Sequence, residues 1–225
     1  MRRIARRCAV LGAALLWPSL AHGTITTYVD SSAFLAALGG PSATLDFEAV
    51  PDGTLLPSGS ALDDITFSYA LGGETLKVTA AFDTTSGTRS LGLTGGDEAL
   101  LDGDELQLAF VDPVFALGLF VITSDPALAD EILLVTSEGT AGNSASEEAV
   151  LGDGGIAYFV GLVSTAPFVG ATLDFADDGV NFVYNVDDIT TAVPEPATAL
   201  LLGLGLAGVA LRRRAVASVR GREGR

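Results

Sequence analysis

Residues 24–190 of this 225-residue chain predict an all-β sandwich of two packed antiparallel sheets. Three observations predict it. Short apolar or alternating runs recur along the segment, clusters of Gly, Pro, Asp, Asn and Ser separate them, and only one early stretch has helical spacing. A sheet that is apolar on one face must cover that face with another layer, and frequent turn chemistry returns the chain to build it.

The single helix comes first. Ser31-Ser32 can cap a turn or two that places Phe34, Leu35 and Leu38 on one face, and Gly39-Gly40-Pro41 ends it. Eleven strands are then predicted, at 44–48, 65–70, 76–82, 90–93, 105–111, 114–123, 131–137, 145–151, 156–163, 171–175 and 181–189. Pro51-Asp52-Gly53, Gly95-Gly96-Asp97, Asp102-Gly103-Asp104, Gly152-Asp153-Gly154-Gly155 and Asp177-Asp178-Gly179 supply turns between them. Residues 137–148 are small and polar, which suits a long loop or an edge strand.

The two ends read differently. Residues 1–23 have the form of a secretory signal peptide: Arg2, Arg3, Arg6 and Arg7 precede a short apolar run, and Ala21-His22-Gly23 places small residues for cleavage after Gly23. At the other end, 191–225, the two prolines of Val193-Pro194-Glu195-Pro196 break any strand. Residues 197–211 then form an uncharged apolar helix, closed by Arg212-Arg213-Arg214. Fifteen helical residues span roughly 22 Å against about 30 Å of hydrocarbon, so this transmembrane helix is short for a permanent anchor. The arginines would remain on the cytoplasmic side.

Composition narrows the chemistry of the exported part. Removing the signal peptide removes the only Cys, His, Trp and Met of the chain. Disulfides, thiolate or imidazole zinc sites and Cys or His nucleophile relays are thereby excluded from the body. Between Thr24 and Ala192 only Lys77 and Arg89 are basic, against 26 acidic residues, a net charge of −24. Nucleic acid is therefore not an expected partner, because phosphate binding needs a basic face.

The order Pro194-Glu195-Pro196, apolar helix, arginine cluster resembles the sorting tail of PEP-CTERM proteins. The resemblance implies recognition by an exosortase, a membrane-embedded protease that cleaves near the Pro-Glu-Pro, in bacteria that often make exopolysaccharide. It implies a protein exported through the inner membrane, held transiently by its helix, and then placed at the cell surface or outside the cell. Val193 to Pro196 would be the recognition motif, 197–211 the retention helix and Arg212 to Arg214 the stop.

The body resembles the lectin-like jelly-roll domains often attached to such tails. The resemblance rests on Leu45-Asp46-Phe47-Glu48, Pro51-Asp52-Gly53-Thr54, Ile65-Thr66-Phe67-Ser68, Ala157-Tyr158-Phe159-Val160-Gly161 with Ala166-Pro167-Phe168, and Val186-Asp187-Asp188-Ile189. In jelly-roll carbohydrate-binding modules a structural calcium commonly joins an acidic residue near the first strand to one near the last, which here points to Glu48 and Asp188. Strand parity in 181–189 sets Asp188 in line with Phe182, Tyr184 and Val186, where a carboxylate needs a partner. Oxygen-only ligands suit Ca²⁺. The expected function is a non-catalytic surface or extracellular-matrix protein that binds polysaccharide, calcium or both; the alternative is a secreted glycoside hydrolase working through two carboxylates.

Overall fold

The computed structural model describes residues 23–69, 73–101, 105–176 and 183–193. The signal peptide up to residue 22, the turns at 102–104 and 177–179, and everything beyond Val193 lie outside the described residues. Among the described residues the chain is all-β with one short helix. In order it runs β1 (Ile25–Tyr28), α1 (Ser31–Ala37), β2 (Ser42–Leu45), β3 (Leu55–Leu56), β4 (Ser60–Leu62), β5 (Ile65–Ser68), β6 (Leu76–Thr79) and β7 (Ser90–Leu93). It continues with β8 (Leu100–Leu101), β9 (Leu106–Thr123), β10 (Ile132–Thr136), β11 (Thr140–Gly142), β12 (Ala149–Val150), β13 (Ile156–Phe175) and β14 (Val183–Ala192).

Two predicted pairs of strands are each one long strand. Residues 105–111 and 114–123 merge in β9, and 156–163 and 171–175 merge in β13. Asp112-Pro113 reads as a break in sequence, and the structure absorbs it as an irregularity: the β9–β13 register shifts between Val163 and Phe168 and again between Phe168 and Gly170. A bulge of this kind bends a strand without ending it.

The two halves of β9 then keep different company. Its first half pairs with β5 and with the 170–173 part of β13, and its side chains alternate buried and exposed. Its second half lies between β13 and β14 and is buried on both faces, as its unbroken Ala116–Thr123 run requires. The two expected sheets are thus one hydrogen-bonded sheet, with spine order β11-β10-β13-β9-β14-β7-β6-β3, bent through its long strands. One core fills the bend, joining Leu108, Leu134 and Leu173 from one half to Leu91, Val121, Val160 and Tyr184 from the other.

Helix α1 seals the outer face of the second half. Its N-cap is Asp30, whose carboxylate accepts from the Ala33 N–H at 2.7 Å. The expected cap, Ser31, instead turns its N–H and hydroxyl to Glu148. Only Phe34 is buried on this helix; Leu35 is 50 % exposed, so the expected three-residue apolar face shrinks to one ring with Leu38 beside it. That ring enters a notch made by absent side chains. Gly118 and Gly161 face each other across β9 and β13. A Cβ on Gly118 would lie 2.5 Å from the Phe159 ring and 2.9 Å from Phe34, and one on Gly161 would lie 2.7 Å from Phe159.

Candidate functional site

The ten residues between β6 and β7 are mostly polar, and Glu48 and the pair Asp187–Asp188, from two separate parts of the chain, hold them. Glu48 follows a sharp turn in which Phe47 takes a left-handed conformation, φ 59°, and buries its ring in the core. The Glu48 N–H donates to the Asp46 carboxylate at 3.1 Å. Anchored so, the Glu48 carboxylate accepts from the backbone N–H groups of Thr88 and Arg89, both at 2.6 Å. Arg89 completes the junction by donating from its guanidinium to the Glu48 carbonyl. Gly87 passes so close to the Glu48 carboxylate that any Cβ there would collide with it, and its φ of 59° also favours glycine.

The other end of the loop is held from β14. Asp187 Oδ2 accepts from the Thr85 N–H at 3.1 Å, the Thr85 hydroxyl at 2.8 Å and the Ser86 N–H at 3.1 Å. Asp188 takes the Ser86 hydroxyl at 2.7 Å and the Thr85 hydroxyl at 2.9 Å. Both carboxylates reach the loop because β14 bulges here. Asp187 is opposite Phe120 and Thr190 opposite Gly118, so two residues of β14 face one of β9, and Asp188 has φ 49°.

The bulge overturns the parity expected for Asp188. Tyr184 and Val186 enter the core as expected, but the extra residue hands the next core position to Ile189. Asp188 is turned out to the loop and half-buried, whereas Asp187 is fully buried, at 0 % exposure. The structure brings Glu48 and Asp188 to the same loop from its two ends, Glu48 at residues 88–89 and Asp188 at residues 85–86. Among the described residues no three acidic side chains gather closely enough to hold a metal by themselves. The donor set is nevertheless all oxygen, with carboxylates at both ends of a segment rich in Ser and Thr hydroxyls, and that chemistry fits a hard cation.

The two gripping carboxylates have opposite electrostatics. Hydrogen bonding from the Thr88 backbone, reinforced by the Arg89 N–H and charge, holds Glu48 below its ordinary value against some desolvation. Burial pushes Asp187 up to about 7, the neighbouring charge of Asp188 adds to the rise, and bonds from Thr85, Ser86 and Asp188 offset part of it. Asp187 was not singled out in the sequence, because simple alternation placed it on the opposite face from Asp188. The run Thr84-Thr85-Ser86-Gly87-Thr88, dense in donors, was the available signal.

At its far end β14 closes at Ala192. Thr190, Thr191 and Ala192 are paired on one side with Thr44, Ala43 and Ser42 and on the other with Gly118, Leu117 and Ala116. Val193 is 41 % exposed and is the first residue free of the ladder. The family model for the PEP-CTERM protein-sorting motif matches residues 192–214. The chain carries a PEP-CTERM sorting signal. No curated protein matches the chain. The PEP-CTERM signal supports an exported protein that an exosortase sorts to the cell surface. Its Pro194-Glu195-Pro196, the 197–211 helix and Arg212 to Arg214 lie outside the described residues. No helix among the described residues is long and apolar enough to cross a membrane.

Proposed function

We propose that this PEP-CTERM protein is a non-catalytic surface or extracellular-matrix component whose jelly-roll body binds polysaccharide and calcium. It is held in the membrane by its 197–211 helix only until an exosortase cleaves near Pro194-Glu195-Pro196. The observation that carries the reading is the abutment of the two parts: Ala192 is both the last laddered residue of β14 and the first residue matched by the sorting model. Cleavage just beyond it would release every described strand together. The mass of the mature protein from the producing cells tests this. A C-terminus between Val193 and Pro196 is expected, and a chain still ending beyond Arg212-Arg213-Arg214 would make it a plain membrane protein.

Calcium would sit between the loop and the two carboxylates that flank it, Glu48 and Asp188. The support is that both carboxylates converge on residues 85–89, where Thr85, Ser86 and Thr88 add hydroxyl oxygens. Bound there, the ion would supply charge neutralisation and stiffen the β6–β7 connection. Melting with calcium and with chelator is the test; identical midpoints for the parent, with no change in Asp188→Asn, would remove calcium from the proposal.

Among the described residues the one carboxylate raised toward a general acid's range supports the non-catalytic reading. Asp187, raised to about 7, has the titration expected of a general acid, yet it is fully buried and accepts four hydrogen bonds from the protein. A group so enclosed has no path to a glycosidic oxygen. New reducing ends on incubation with candidate polysaccharides, lost on one carboxylate-to-amide change, would turn the reading to the hydrolase.

A further inference from the structure

Beside the gripped loop a cleft of about 260 Å³ opens between the β6–β7 connection, the end of β9, the turn before β13 and the start of β14. Phe82, Ile122 and Val183 give it apolar walls, and Gly154-Gly155 leave one side without side chains. Phe82 is 37 % exposed, unusual in a body whose other phenylalanines are largely core. It is also held in place. The Asp83 N–H donates to the Asp153 carboxylate and the Asp153 N–H donates to the Asp83 carboxylate, both at 2.9 Å, so the loop bearing Phe82 is clipped to the far side of the cleft.

The polar groups of the cleft are acceptors. Asn185 is 4 % exposed and donates both amide hydrogens to protein carbonyls, to Leu91 at 3.3 Å and Glu98 at 3.0 Å. Those two bonds commit the amide hydrogens of Asn185, which lines the cleft, and leave Oδ1 as its remaining polar atom. Asp153, held ionised by the backbone N–H groups of Asp83 and Gly155, adds a carboxylate, and the Ser124 hydroxyl stands at the rim. No basic residue of the described body lines it, since Lys77 pairs with Glu98 at 2.8 Å and Arg89 with the Glu48 carbonyl.

We infer that this cleft is the polysaccharide subsite of the body, and that it takes one neutral pyranose unit stacked on Phe82. The inference rests on the polysaccharide reading above and assigns it a place and a ligand class. A sugar ring offers an apolar C–H face for an aromatic wall and hydroxyl donors for Asn185 Oδ1 and Asp153. Uronic acids and sulfated sugars are refused, because their charge would meet Asp153 and a body of net charge −24.

The test is calorimetric titration of the full chain in mild detergent. The probes are neutral gluco-, manno- and galacto-oligosaccharides, with polygalacturonate as the charged counterpart. At least one neutral probe should bind and polygalacturonate should not. Phe82→Ala, a partly exposed position that leaves the core intact, should weaken binding about tenfold, equivalent to ~1.4 kcal/mol, and Phe82→Trp should restore or tighten it. Ser124→Trp should block the cleft, whereas Leu128→Ala, on a 72 % exposed side chain elsewhere, should change nothing. A neutral sugar that binds parent, Phe82→Ala and Ser124→Trp alike would overturn this subsite and leave the polysaccharide reading standing. No binding by any probe would overturn both. Tighter binding of polygalacturonate than of every neutral probe would overturn the ligand class.

Discussion

Two joints fasten irregular pieces of this chain to its sheet, and they work by opposite physics. At one, Phe34 of α1 drops into the notch left by Gly118 and Gly161, an apolar contact one turn from the Ser31–Glu148 hydrogen bonds at the helix start. At the other, Glu48, Asp187 and Asp188 grip the β6–β7 loop through hydrogen bonds, with scarcely any apolar contact. The Phe34 contact depends on volume and carries no charge. The second depends on protonation and tolerates changes of volume, except at Gly87. A substitution at one joint should leave the other unchanged.

The largest effect is expected at the dry joint. Phe34→Ala empties the notch and should cost about 3–5 kcal/mol, as for other fully buried phenylalanines. Chemical denaturation should show the loss equally at pH 5 and pH 8. A loss that varied with pH would mean that the two joints are coupled through Thr190, which sits beside Gly118 in β14.

Next comes the buried carboxylate of the acidic joint. An unfolded Asp titrates near 3.8 and folded Asp187 near 7, so between those values the folded chain holds the extra proton. Stability from Asp187 is therefore fully present below pH 4 and is lost as pH rises through 7. Three pKa units bound the whole change at about 4 kcal/mol, with Asp188 as the charge that faces it. In chelator, melting midpoints of the parent should fall from pH 5 to pH 8, and Asp187→Asn should flatten that slope. An unchanged slope would show that Asp187 is not the group responsible.

Gly118→Ala is expected to be milder than emptying the notch, about 1–3 kcal/mol, because its Cβ would lie 2.5 Å from the Phe159 ring and 2.9 Å from Phe34 and must push the ring ends aside without removing a side chain from the core. Gly96→Ala is the control: a Cβ there meets nothing within 4 Å, so its midpoint should stay with the parent. If the two substitutions behaved alike, the notch would not be what seats α1.

How far these joints could be read from sequence follows from the same contrast. The sorting tail was legible because its motif is linear and its helix and arginines adjoin it. Most strands were legible because one exposed face forces alternation, as in Leu106–Phe110, where burial alternates residue by residue. The merging of β9 was not, because Asp112-Pro113 has the chemistry of a turn and only the paired strand β13 shows that the chain continues. Of the acidic joint, Glu48 and Asp188 were expected to meet through calcium; the structure brings both to one loop, which the sequence did not indicate. Alternation cannot foresee a bulge, so Asp187 and Asp188 exchanged places, and a run of Thr and Ser gives no hint of which carboxylates its hydroxyls will meet. Phe82 was hidden by a predicted strand running to residue 82, whereas β6 ends at Thr79 and leaves the ring on the loop.

The smallest effect separates the two carboxylates that hold the same loop. Glu48 lies below its ordinary value because backbone N–H groups of Thr88 and Arg89 favour its ionised form, so its contribution is present above an unfolded Glu value of 4.5 and is lost as pH falls through its folded value. That sign is the reverse of Asp187. Glu48→Gln keeps an oxygen to accept from the two amides and removes only the charge, so the midpoint at pH 7 should fall slightly, toward the parent's value in acid, while the acid limb below pH 5 flattens. Asp187→Asn should leave that acid limb intact and change the alkaline one. Thermal melts of both variants across pH 3–9 in chelator would resolve the two limbs. If Glu48→Gln altered the alkaline limb instead, the grip on residues 85–86 and the grip on 88–89 would have to be a single electrostatic unit, with the charge of Glu48 felt at Asp187 across the loop.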